Sequence, residues 1–271
     1  MPDNIFFIIG CARSATTTIA RVLGKATNAE VFTEQDPKLC FESRELFEGR
    51  LGNPKQVLFN AKNEKISETL AKGLIYGDKN PNYLPFIPYA EELWNPRYLF
   101  IVRDGRETVR SMMDWHELSH GNIFGMHEDD PSSGFTAWEQ DWWDYSRPRP
   151  KRGEKYFDVW QRLSRFEKCA WYWNKFNTLL LSYTETLDPA RWKMVNMNKL
   201  SIPELEEIFT FLHLRKENKV DLQTLLTSKI NSPKDRYGME NKFPHWKNWD
   251  AALLQQFNQQ ASKMMAAFNY Q

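Results

Sequence analysis

The chain opens on a short apolar run, Ile5–Ile9, that closes on Gly10 and passes into a hydroxyl-rich stretch reaching Thr18. No other feature constrains the fold as strongly. It reads as a strand, a tight turn and a helix start, the layout in which backbone N–H groups and the helix dipole meet an anion. The nucleoside-triphosphatase form of this loop, G-x-x-x-x-G-K-[ST], requires glycine and then lysine just before its final hydroxyl residue. This chain has Ala15 and Thr16 at those places, and its cation comes earlier, at Arg13. Such a loop can hold phosphate but lacks the lysine that reaches a γ-phosphate. It therefore points to a different nucleotide and a different transferred group.

Downstream, short apolar runs alternate with helical patterns, the signal for parallel βαβ units. Strands are expected at Ile5–Ile9, Glu30–Thr33, Gly73–Gly77, Arg97–Val102 and Trp192–Met197. Helices are expected at Thr17–Lys25, Glu64–Lys72, Leu84–Leu93, Arg106–Trp115 and Ile202–Leu212, with a last one placing Leu253, Phe257, Met264 and Phe268 on one face. Residues 35–60 read as loop-rich. A single long helix is expected after residue 155, carrying Phe157, Trp160, Leu163, Phe166, Ala170, Trp173 and Leu180. Residues 120–155 interrupt the pattern with glycines, prolines and an acidic half followed by a basic half. An insertion of that kind is expected to be a lid or an acceptor-side loop. Seven of the 11 tryptophans fall between Trp115 and Trp173. Trp160, Trp171 and Trp173 are expected to pack, and Trp138, Trp142 and Trp143 either to pack or to stack on a ligand. The fold class is thus α/β, a P-loop-type parallel sheet flanked by helices, in one domain over the 271 residues.

At 41% apolar and 26% charged, the chain can bury a core, and a formal charge of +1 exerts no general pull on nucleic acid or membrane. Any anion site must be local. Cys11, Cys40 and Cys169 are too few and too scattered for a disulfide framework or a zinc site. With no apolar run of membrane-spanning length and no room for a signal peptide before the first strand, a soluble, cytoplasmic protein is expected. No nucleic-acid partner and no metal are expected.

Two segments can grip phosphate. The first is Gly10–Thr18. The second begins at Arg103, at the carboxyl end of the fourth strand, with Ser111 eight residues on. Ligands of an open parallel sheet bind outside the carboxyl ends of its strands, so both segments open on one edge. Two separate grips suit a nucleotide phosphorylated on two ribose carbons. Glu34, at the end of the second strand, lies on the same edge and is a candidate general base. Asp36, Glu42 and Glu45 are rival bases, and His116 is a weaker one.

These motifs resemble those of the sulfotransferases that use 3′-phosphoadenosine-5′-phosphosulfate (PAPS). The family's 5′-phosphosulfate loop, roughly G-x-P-[RK]-[ST]-G-T-T, is similar to Gly10-Cys11-Ala12-Arg13-Ser14-Ala15-Thr16-Thr17, with Ala12 and Ala15 as departures. Its 3′-phosphate segment is similar to the run from Val102 to Met112, especially in the tyrosylprotein branch. The resemblance covers residues 4–115 well and the rest in outline. It implies sulfuryl transfer from PAPS to a hydroxyl or amine, directly and in line, with 3′-phosphoadenosine-5′-phosphate (PAP) as product. It places Gly10, Arg13, Ser14, Ala15, Thr16, Thr17 and Thr18 around the 5′-phosphosulfate, and Arg103 and Ser111 around the 3′-phosphate. Glu34 matches the base position of the tyrosylprotein branch. Lys79, in Gly77-Asp78-Lys79-Asn80-Pro81, is similar to a family lysine that contacts the sulfonate or the bridging oxygen.

The carboxyl-terminal half matches less. Asn198 stands where the family often has an acidic residue, and Lys229, Lys234, Arg236 and Lys242 are candidates for closing the nucleotide site. Carbohydrate, lipid, small-molecule and peptide acceptors all remain open, although Asp36-Pro37-Lys38 departs from the arginines of the tyrosylprotein branch. A P-loop kinase and a non-catalytic nucleotide-binding protein are the alternatives.

Overall fold

The computed structural model describes residues 2–36, 38–119, 124, 147–216, 224 and 242–270. The chain forms two compact units: Met1–Leu39, Gly52–Arg103 and Leu180–Ile230 in the first, and Cys40–Leu51, Asp104–Leu179 and Asn231–Gln271 in the second.

The first unit holds a five-stranded sheet in the order β2-β3-β1-β4-β5. Its strands are β1 (Ile5–Gly10), β2 (Ala29–Thr33), β3 (Ile75–Lys79), β4 (Arg97–Val102) and β5 (Trp192–Asn196), and every pairing is parallel. Parallel strands are covered on both faces and so read as continuous apolar runs. Accordingly, β1 is buried along its whole length and β4 along all but its first residue. Alternation along the pleat sends Phe6 and Ile8 to one face and Phe7 to the other. On the first face Phe6, Ile8, Leu99 and Ile101 pack with Ile19, Val22 and Leu23 of α1 (Thr16–Leu23) and Leu205, Ile208 and Phe209 of α7 (Ile202–Phe211). On the second, the Phe7 ring lies 4.8 Å from that of Tyr83 and 6.2 Å from that of Trp94, at the end of α4 (Ile87–Trp94). Gly77 sits opposite Phe6 in the register, and a Cβ there would come within 2.2 Å of the Phe6 ring. The glycine makes room for the ring.

Three expectations are corrected. Residues 35–60 are not mainly loop: they contain α2 (Lys38–Phe47) and the start of α3 (Pro54–Ala71). Pro54 occupies the first turn of α3, where a missing N–H costs nothing, and the Asn53 side chain accepts from Gln56 N–H at 3.4 Å. The proline that reads as a breaker is a start. Secondly, β3 runs from Ile75 to Lys79 rather than over residues 73–77, because Gly73 (φ 72) ends α3 and its N–H bonds to Leu70 O at 2.9 Å. Lys79 is therefore the last residue of the strand.

Thirdly, the apolar pattern after residue 155 belongs to two elements. A 3₁₀ turn covers Phe157–Arg162, Leu163 is extended, and α6 (Arg165–Thr184) starts afresh. Ser164 and Glu167 bond reciprocally at that start, a capping box.

The second unit is helical. It contains α5 (Gly105–Ser119), α6 as far as Leu179, and α8 (Ala251–Ala267), packed around Phe166, Trp173, Trp249 and Phe257. Trp160, Trp171 and Trp173 are packed in this unit, the first two with rings 5.1 Å apart. Trp138, Trp142 and Trp143 lie outside the described residues. Among those described, no helix is long and apolar enough to cross a membrane.

Candidate functional site

Register builds the site. Ile8 and Thr33 both pair with Lys79, and Gly10 pairs with Ile101. β2 and β3 thus end level, opposite Ile8, and β1 and β4 run two and three residues further, so that Gly10, Glu34, Lys79 and Arg103 come off neighbouring strands at one edge of the sheet. The order also turns outward at β1 and β4: the chain leaves β1 toward β2 and β4 toward β5. That is the switch point at which open α/β sheets hold ligands.

The loop after β1 is tight. A Cβ on Gly10 would lie 2.6 Å from the Ile101 carbonyl oxygen and 2.7 Å from both Ser14 Oγ and Thr16 Cγ2, so no side chain fits. Ser14 N–H bonds to Cys11 O at 3.0 Å, and Thr18 N–H bonds to Ala15 O at 3.0 Å. Thr16 is the first residue of α1, which has no side-chain cap. The first N–H groups of a helix have no partner within it, so those of Thr16 and Thr17 are the natural anion donors. The Ser14 hydroxyl is buried and has no hydrogen-bond partner among the described residues. A buried orphan oxygen is costly, and an anionic ligand oxygen in this loop would satisfy it. The residues present thus fit a phosphosulfate.

Two loop residues are in the left-handed region, Arg13 at φ 70 and Ala15 at φ 69. That conformation costs an L-residue roughly 1–2 kcal/mol, and such outliers gather at functional sites. Ala15 stands where the resembling family has glycine, and the loop keeps the glycine-like geometry without the glycine. Ala15→Gly is accordingly expected to stabilise the protein by about 0.5–1 kcal/mol, after allowing for the greater unfolded-state entropy of glycine. Urea unfolding measures it, and an unchanged or lower midpoint would show that the loop bears no strain there.

Arg103, half-buried, donates from Nη1 to Arg13 O at 3.2 Å, which ties the end of β4 to the loop. Glu34 is also left-handed, at φ 49, and its N–H bonds to Lys79 O at 3.0 Å. Lys79, buried, gives its ammonium to Glu34 Oε1 in a salt bridge. This pair, and the strained backbone that presents it, were not anticipated from sequence. The pair follows from the parallel alignment of Thr33 with Lys79, a register that no local sequence pattern encodes.

The rival bases are otherwise engaged or placed. Asp36 Oδ1 accepts from Lys38 N–H at 3.1 Å, and Glu45 is bonded to Arg50. Glu42 lies half-buried on α2, and the His116 side chain lies outside the described part of the chain. Ser111 lies on α5, in the second unit, and is half-buried. Lys242 is exposed, with its N–H on Asp114 Oδ1 at 2.9 Å. Lys229, Lys234 and Arg236 lie outside the described residues.

A sulfotransferase domain from the curacin biosynthetic pathway matches with a TM-score of 0.51 at 15% identity, over 97% of this chain and 98% of that one. The fold is shared with that sulfotransferase domain. A sulfotransferase from Alicyclobacillus acidocaldarius matches with a TM-score of 0.49 at 13% identity, over 98% of this chain and 96% of that one. The sulfotransferase domain of the Synechococcus PCC 7002 olefin synthase matches with a TM-score of 0.48 at 15% identity, over 96% and 94%. No family model and no curated relative matches by sequence.

Proposed function

We propose that the chain is a PAPS-dependent sulfotransferase. One observation carries this reading: the parallel register of β1 to β4 puts a lysine-free phosphate loop, a carboxylate and two cations at the carboxyl edge of neighbouring strands. In the proposed step the acceptor oxygen attacks sulfur and forms the new S–O bond. The bond from sulfur to the 5′-phosphate oxygen breaks, and its electron pair leaves with PAP. The acceptor proton passes to Glu34. Lys79 and Arg13 meet the charge developing on the transferred group and the leaving phosphate.

Gly10 and residues 14–18 cradle the 5′-phosphosulfate, and Arg103 takes the 3′-phosphate, to which the resemblance also assigns Ser111. The likeness to the tyrosylprotein branch rests on these donor-site motifs alone. The three buried thiols, Cys11, Cys40 and Cys169, suit a reducing compartment such as the cytoplasm.

Titration calorimetry with PAP tests the reading. The wild type is expected to bind, and Arg13→Ala and Arg103→Ala are each expected to weaken binding by roughly 30-fold or more, the loss typical of a truncated buried charge contact. Absence of PAP binding in the wild type would overturn the proposal. Stronger binding of ATP with Mg²⁺ would favour a kinase instead.

A further inference from the structure

The assigned base and the assigned cation are engaged with each other. Thr33 pairs with Lys79 in the sheet, Glu34 N–H is held by Lys79 O at 3.0 Å, and the Lys79 ammonium is held by Glu34 Oε1. Glu34 is thus tethered to one residue through both its backbone and its side chain. The lysine side chain is 5% exposed and the glutamate side chain 24%. The ammonium is the deeper partner, and the carboxylate closes over it from the solvent side. On its other flank Lys79 is registered with Ile8, on the strand that feeds the phosphate loop. Lys79 therefore sits on the strand between the one that presents Glu34 and the one that feeds the loop.

We infer that this pair is a donor-operated mask on the base. It rests on the sulfotransferase reading above. Before the donor binds, the Glu34 oxygen that would receive the acceptor proton is occupied by Lys79. When PAPS enters the loop, its anionic oxygens compete for the lysine, the pair opens, and the carboxylate is freed. A ligand shifts such an equilibrium only through its differential affinity for the two states. Here the difference is the bond between the donor's anionic oxygens and the lysine, which only the open state allows. The consequence is an order of events. The base becomes available only when the sulfuryl group is already in place, so donor binding precedes productive acceptor binding. The Glu34 backbone does not need to move, because its N–H remains on Lys79 O.

A double-mutant cycle on PAPS affinity tests this without any acceptor. If opening the pair costs binding energy, Glu34→Gln removes that cost and PAPS binds more tightly. The gain is expected to be about tenfold, within the range of coupling between contacting groups. In a Lys79→Gln background the same substitution is expected to change affinity by less than about twofold, because no pair remains to be broken. Equal tightening in both backgrounds would show only a through-space charge effect and would overturn the mask. Unchanged or weaker binding in Glu34→Gln would overturn it as well. Thermal melts of each variant verify folding, and Glu34→Ala substitutes if Glu34→Gln does not fold. A wild type that binds neither PAPS nor PAP removes the sulfotransferase reading itself, which separates that failure from failure of the mask.

Discussion

Asp78→Ala is expected to lower the free energy of unfolding by about 3–5 kcal/mol, the cost of breaking a buried ion pair by removing one partner. Asp78 is fully buried on β3, and its Oδ2 meets three donors. Lys62 Nζ lies at 3.0 Å, Tyr76 OH donates at 2.8 Å and Tyr83 OH at 2.5 Å. Lys62, on α3, is buried as well, with its ammonium 5.4 Å from the Tyr83 ring centre. Burial raises both tyrosine pKa values, and the Asp78 charge raises them further, so both phenols remain donors across the physiological range.

Truncating Asp78 would leave an ammonium and two hydroxyls with no acceptor in the core. At 2–4 °C per kcal/mol, the loss would read as roughly 10 °C in a thermal melt. Adding Lys62→Met to the Asp78→Ala chain should recover part of it, since the stranded charge is then gone. A loss under about 1 kcal/mol in Asp78→Ala would mean that Lys62 reaches solvent when its partner is absent.

The Asp78 cluster shows where the sequence was legible and where it was not. The strands with continuous apolar runs, β1 and β4, are plain in the sequence because parallel strands need such runs. The loop between Gly10 and Thr18 is plain as well, since a turn into a helix start leaves few choices of residue. β3 was harder. Ile75-Tyr76-Gly77-Asp78-Lys79 carries two charges and a glycine, a composition that argues against a central strand on propensity alone. It is a strand because each exception has a partner elsewhere: Phe6 fills the space over Gly77, Lys62 neutralises Asp78, and Glu34 takes Lys79. None of those partners is near in sequence.

Likewise, the mixed charge of α2 hides a helix whose Arg44 pairs at 2.8 Å with Glu48, just past its end. Individual site residues could be nominated from motifs, but their coupling could not. That coupling follows from strand register, which local patterns do not encode.

That coupling governs the other large effect expected. Glu34→Gln should reduce turnover by about 10²–10⁴-fold with any acceptor that the wild type sulfates, the usual worth of a positioned general base. PAPS binding should be retained. The amide fills the same space and leaves the backbone tether to Lys79 O in place, so the loss would be chemical rather than structural. The pairing with Lys79 makes this variant doubly diagnostic. An enzyme that binds donor more tightly while transferring the sulfuryl group far more slowly has lost a proton acceptor, not a binding site. PAP release followed over time gives the rate, and calorimetry gives the affinity. Turnover within about tenfold of the wild type would move the base elsewhere. Glu42, half-buried on α2, and Asp36, two residues past Glu34, are then the carboxylates to replace next.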